Sequence, residues 1–375
     1  MSLPLEGVKV VEQGTFITGP AAAVLLADMG AEVIKVERPG HGDPFRGPNL
    51  YSPHYQTYNR NKKSIALDTR NEADLAIFDE LIAGADVYIQ NFRPGASTAL
   101  RVDSERLLAI NPKLIYCAIT GFGPDGPDAQ RACFDTVAQA ASGFLNLMID
   151  DNDPRVTGPA MADSLTGFYA AYGVLGALNK RHRTGQGGTV EVSMLEAMSH
   201  FNIDAYTHYF AEGQLMHPHS RPSASNAFVL DCRDGKRVAL HLSTPEKFWL
   251  GLMNATGKSA QFEAAGYMSR DRRVEDSTGL IAMLRAVFLE RDRAEWCQLL
   301  EENDVPFAPV YNAEEALGDP QVQHLKMQIA GEHPSRGEFR TIRSPLTYDG
   351  VRVSHVTPPP ELDQDRDAIL SGLRR

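Results

Sequence analysis

Residues 8–37 read VKVVEQGTFITGPAAAVLLADMGAEVIKVE, and this stretch decides the fold. VKVVEQ (8–13) is β-branched and breaks at Gly14. PAAAVLLADMG (20–30) is helical, with Pro20 in the first turn and Gly30 as the stop. AEVIKVE (31–37) is a strand again, so the span is one βαβ unit. The pattern continues outward. SIALD (64–68) reads as a short strand, NEADLAIFDELIAGA (71–85) as an amphipathic helix and DVYIQNF (86–92) as a strand. SERLLAIN (104–111) is helical, and KLIYCAITGFG (113–123) is a strand running into glycines. The alternation predicts an α/β fold with a parallel sheet covered on both faces. Ligands of such sheets sit beyond the carboxyl ends of the strands, so a site is expected at 13–19, 37–43, 91–95 and 120–126.

The chain has 375 residues, more than one core usually supports, which predicts two domains. Hydrophobic residues make up 43% and charged residues 23%, as in a soluble globular protein. A net charge of −11 argues against nucleic acid or an anionic membrane as partner. The four cysteines, Cys117, Cys133, Cys232 and Cys297, form no C-x-x-C pair and fit a reducing cytoplasm. MSLPLEGVKVVEQG lacks the pattern of a signal peptide, and the longest apolar run, around Phe168–Leu178, is too short to span a bilayer. A cytoplasmic protein is expected. The texture changes after the helix and strand that follow that run. HPHSRPSASN (217–226) reads as a linker, AFVLDCRDGKRVALHLS (227–243) as a β-hairpin turning at Asp234-Gly235, and helices follow. The expected division is a large domain over 1–225, a small domain over 226–325, and a return to the large domain over 326–375.

Four features suggest chemistry. GTFITGP (14–20) joins the first strand to the first helix, where a helix N-terminus can hold a phosphate. It is not G-x-G-x-x-G, and the other reading is a tight turn. Glu37 closes the second strand where a dinucleotide fold keeps its ribose-binding acid, which leaves an NAD-dependent dehydrogenase or a non-catalytic nucleotide-binding protein as alternatives. Arg38, Arg60, Lys62, Lys63, Arg70 and Arg93 lie near strand ends or loops, several at the expected carboxyl edge, where phosphates dock. Finally, GPAMADSLTGFYAAYGVLGAL (158–178) holds one acid, Asp163, ahead of some fifteen uncharged residues. That acid either caps a helix or reacts at its mouth. His217 and His219 form an H-x-H without a nearby third ligand, so no metal is expected.

Five spaced motifs carry a resemblance. ITGPAAAVLLADMGAEVIKVERPGHGDPFRG (17–47), NRNKKSIALD (59–68), QNFRPGA (90–96), FDTVAQAASG (134–143) and GPAMADSLTGFYAAYGVLGALNKRHRTGQGG (158–188) resemble the class III CoA-transferases, which include formyl-CoA and carnitine CoA-transferases. The resemblance implies a Rossmann-like large domain built from both chain ends, a smaller α+β domain, and an interlocked homodimer. It implies an acyl-CoA and a small organic acid as partners, with coenzyme A as substrate and no permanently bound cofactor. Asp163 falls on the family's catalytic aspartate. Arg38, Leu67, Arg70, Asn91, Phe92 and Arg93 match its coenzyme A contacts, to which Thr18 and Lys62 are added; Asp135 lies in a motif lining the active site. The apolar run after Asp163 is expected to be a dry support, and the helix N-terminus to supply donors for an oxyanion. Two departures bear on substrate. Formyl-CoA transferases carry glutamine where this chain has Ile17, and a glycine-rich loop where it has LHLSTPEKF (240–248). The related racemases carry a G-H-D motif where this chain has Cys133-Phe134-Asp135, which argues against the alternative of an acyl-CoA racemase or isomerase.

Overall fold

The computed structural model describes residues 3–150 and 152–373. The stretch 8–37 folds as β1 (Lys9–Glu12), α1 (Thr18–Asp28) and β2 (Glu32–Glu37). There follow β3 (Lys62–Ala66), α2 (Glu72–Ala83), β4 (Val87–Gln90), α3 (Ser104–Ile110), β5 (Ile115–Thr120), α4 (Asp135–Ala141), α5 (Met161–Thr184), β6 (Gly188–Ser193) and α6 (Met194–Phe201). The six strands form one parallel sheet in the order β3-β2-β1-β4-β5-β6. Chain direction across the sheet reverses between β1 and β4, so a crevice opens beyond their carboxyl ends.

Alternate side chains sort to the two faces, as a pleated strand requires. Val10, Val33, Ile89 and Cys117 pack under α1 and α5; Val11, Val36, Tyr88 and Tyr116 pack on α2 and α3. α1 and α5 approach closely because the residues between them are small. A Cβ on Gly167 would lie 2.7 Å from Ala21 Cβ and 2.9 Å from the Thr18 carbonyl oxygen. The buried residues of α5 are mostly small ones such as Gly167, Ala170 and Ala171. Phe168 and Tyr172, in the run expected to be dry, are 57% and 69% exposed on the opposite side of the helix.

Contacts divide the chain into two units: 1–145, 156–204 and 323–375 form the first, and 146–155 and 205–322 the second. After the short excursion of 146–155, the chain crosses into the second unit at 204/205, where 225/226 was expected, and leaves it at 322/323, where 325/326 was expected. The expected linker is built into the second unit: Ser220–Ala224 is helical, Ser223 Oγ bonds Ser277 Oγ, and Arg270 donates to the Ala224 carbonyl. That unit contains the hairpin β7 (Ala227–Asp231) and β8 (Arg237–His241), a third antiparallel strand β9 (Phe307–Pro309), and helices α7 (Glu246–Thr256), α8 (Ser277–Phe288) and α9 (Arg293–Glu302). Trp249, Phe262, Phe288 and Trp296 fill its core.

The chain then returns to the first unit through the hairpin β10 (Gln328–His333) and β11 (Gly337–Ile342) and ends in α10 (Arg366–Leu373). The return covers the edge strand β3. Asp365 accepts from Ser64 N at 2.8 Å, Asp363 accepts from Ala66 N at 2.7 Å, and Ile369 enters the core beside Phe78. These side chains satisfy N–H groups that an open edge would present to another chain.

Candidate active site

The loop Gly14–Ile17 leaves β1 at the crevice and is held from two sides. From β4, the Asn91 side chain accepts the Thr15 N–H at 2.9 Å and donates to the Thr15 carbonyl at 2.7 Å and to Thr18 Oγ1 at 2.9 Å. From below, Glu12 accepts the Gly14 N–H at 2.7 Å, and Lys35 donates to the Gly14 carbonyl at 2.9 Å. Glu12 is fully buried between Lys35 and Lys62. Burial alone would raise its pKa, but the two lysine charges hold it below the usual carboxylate range. Lys62, expected to contact coenzyme A, is therefore buried and already bonded within the chain. It opens β3 at the amino end, its Nζ bonds Glu12, Asn59 and the Pro20 carbonyl, and burial lowers it to about 8. Lys63 also sits at that end, and Arg60 is bound to Asp28. Glu37 is likewise committed, to Arg46 and Ser64.

Two cavities flank the loop and share Thr15 and Phe92. The first, about 270 Å³, lies over the ends of β1 to β3 and is lined by Arg38, Leu67 and Arg70. Arg70 is paired with Asp68, whereas Arg38 is exposed and has no ion pair among the described residues. The second, about 210 Å³, is lined by Ile17, Thr18, Asn91, Arg93, Phe134 and Asp163. Arg93 also has no ion pair among the described residues. The structure thus brings together nine of the ten expected residues in or beside one crevice, with Lys62 the exception. Asn91 faces the crevice with its amide already spent on the loop.

Asp163 lies in the first turn of α5 but does not cap it. The cap is Asp135, whose Oδ1 accepts the N–H groups of Ala162 at 2.7 Å and Asp163 at 3.2 Å. Asp135 is steadied by Gln139, one turn along α4. The Asp163 carboxylate itself makes no hydrogen bond or ion pair among the described residues and lines the second cavity. Burial, and then the charge of Asp135, push its carboxyl up to about 7. Of the N–H donors expected at the start of α5, those of Ala162 and Asp163 are thereby taken. The N–H groups of Thr18 and Gly19 at the start of α1 have no acceptor among the described residues. Burial and the Asp163 charge push the Cys133 thiol in the same cavity up to about 11, so it stays protonated at neutral pH.

Some site residues lie in or near flagged segments but were not singled out from the sequence. Asp43 and Phe16 act through contacts that join distant segments. Arg131 and Cys133 line the Asp163 cavity but match no chemical motif. A larger cavity of about 720 Å³ lies within the second unit, but no carboxylate lines it. No group of three metal-ligating side chains occurs among the described residues, and no helix among them is long and apolar enough to cross a membrane.

The sequence profile of CoA-transferase family III matches residues 5–366. The chain is 32% identical to the human succinyl-CoA:glutarate CoA-transferase, over 99% of this chain and 86% of that one. It is 31% identical to a succinate–glutarate CoA-transferase of Agrobacterium fabrum, over 99% and 96%. Its fold is similar to the crystal structure of a CAIB/BAIF family protein from Brucella suis, with a TM-score of 0.88, 30% identity and full coverage of both chains. The protein belongs to CoA-transferase family III and is a CoA-transferase.

Proposed function

We propose that this enzyme moves coenzyme A from an acyl-CoA to a short dicarboxylic acid through covalent intermediates on Asp163. A carboxylate oxygen of Asp163 attacks the thioester carbonyl; the C–S bond breaks, and CoA thiolate leaves a mixed anhydride on the enzyme. The thiolate attacks the Asp163 carbonyl carbon, the C–O bond breaks, and the donor acid departs as its carboxylate. Asp163 is now a CoA thioester. The acceptor carboxylate attacks it, again expelling thiolate, and the thiolate takes the acceptor's acyl carbon and restores Asp163. No proton, electron or water is consumed overall. Each tetrahedral intermediate carries an oxyanion, for which the N–H groups of Thr18 and Gly19 are the donors.

The observation that carries this reading is the division of labour between two acids. Asp135 caps the helix, so Asp163 has no structural duty in its cavity. Coenzyme A occupies the crevice with its phosphates near Arg38 and Arg70 and its sulfur near Asp163. Succinate and glutarate, named in the relatives, are the favoured acids, and Ile17 in place of glutamine argues against oxalate. The working unit is an interlocked homodimer in which a second copy covers Phe168 and Tyr172. Asp163→Asn tests the assignment. Transfer from succinyl-CoA to glutarate should fall at least about a thousandfold, with CoA binding within about threefold. Activity above a few per cent would reduce Asp163 to a bystander.

A further inference from the structure

One buried carboxylate ties the turn that carries Arg38 to the loop that lines the Asp163 cavity. Asp43 is 2% exposed. Its Oδ1 accepts the Phe16 N–H at 3.1 Å and the Phe45 N–H at 2.9 Å. Its Oδ2 lies 3.1 Å from Lys35 Nζ in a buried ion pair, and its own N–H donates to Glu37 at 2.9 Å. Phe16 needs this hold. Its φ of 61° lies in the left-handed region, where a side chain crowds the backbone and the loop would otherwise relax. The Phe16 ring in turn meets Phe134 edge-on, with centroids 5.7 Å apart. Phe134 precedes Asp135, which holds the start of α5 at Asp163. A continuous line of contacts therefore runs from the Arg38 turn through Asp43, Phe16, Phe134 and Asp135 to Asp163.

We infer that Asp43 is a positioning residue for the transfer. By holding Phe16, it fixes the separation between the end of coenzyme A at Arg38 and the thioester presented to Asp163. The inference rests on the reading of Asp163 as nucleophile and Arg38 as phosphate contact. Binding energy gathered at a remote phosphate orients the reacting carbonyl only while the connection between them is rigid.

The test uses Asp43→Ala and Asp43→Asn in the full chain, with thermal unfolding to establish the folded fraction. Each variant is assayed with succinyl-CoA and with succinyl-N-acetylcysteamine, which keeps the thioester but lacks the phosphate end. CoA affinity is measured by calorimetry. With the full donor, Asp43→Ala should lower kcat about 30- to 100-fold, the scale of an ångström misplacement, with Kd for CoA and the short donor's rate within about threefold. Asp43→Asn keeps an acceptor oxygen for both N–H groups and should recover kcat to within about fivefold of the parent. Equal loss with both donors would mean general damage and overturn the inference. So would a CoA Kd that rises in step with the loss, or Asp43→Asn no better than Asp43→Ala. Failure of the underlying reading shows differently, as a parent enzyme that turns over with no acyl or CoA adduct on Asp163. The comparison of donors still decides the role of Asp43 in that case.

Discussion

Asp163 titrates near neutrality because burial denies its carboxylate water and Asp135 adds a like charge beside it. If Asp163 is the nucleophile proposed above it must be ionised to react, and kcat/KM should then fall as pH drops below about 7. Asp135→Asn removes the neighbouring charge but keeps an oxygen to cap α5. The acid limb of the pH–rate profile should then move to lower pH; a limb that stays put would mean burial alone sets the value. The same shift enters stability with a definite sign. Between the ordinary value of 3.8 and about 7, the folded chain binds more protons at Asp163 than the unfolded chain. Stability is therefore lost as pH rises through that window, on the order of 1–3 kcal/mol for this partly screened group. At this scale the motif around Asp163 was legible in the sequence. Its cap was not, because Asp135 lies 28 positions earlier and meets it only in the folded chain. The burial of Lys62 was not legible for a related reason: proximity to a strand end in sequence does not say which end of the strand, or which carboxylate awaits.

α1 and α5 bring Thr18, with its open N–H, and the carboxylate of Asp163 to one cavity, and Gly167 sets how closely they approach. Gly167→Val would press on the Ala21 side chain and on the α1 backbone at Thr18 and Ala22. We expect it to destabilise the protein by about 1–3 kcal/mol, the usual cost of overpacking, seen as a lower Tm. It should also depress kcat more than the Kd for CoA, because the Arg38 cavity lies over other strands. An unchanged Tm would show that the helices separate freely. The strands and helices of the first half were legible from periodicity, because each buries one face on the sheet. The run Phe168–Leu178 was legible as a helix but not as two faces. Apolar residues all round gave no hint that mostly the small ones are buried within this chain.

On the scale of the whole molecule, the chain leaves the first unit, builds the second and returns to seal the edge of β3. The hairpin at Asp234-Gly235 and the C-terminal return were readable from turn residues and texture. The boundary at 204/205 was not, because a polar, proline-bearing stretch can pack as well as link. If two such chains interlock, they cannot separate without opening the fold. Sedimentation should then give the dimer mass unchanged on dilution to nanomolar concentration, and folded monomers in reversible equilibrium would rule the arrangement out. The central claim, that Asp163 itself carries the group being transferred, is tested most directly by mass spectrometry. The enzyme is incubated with succinyl-CoA, quenched in acid and digested. The expected result is a CoA thioester or succinyl adduct on the peptide containing Asp163, absent from Asp163→Asn. An active enzyme with no adduct there, or with one on Cys133 instead, would contradict it.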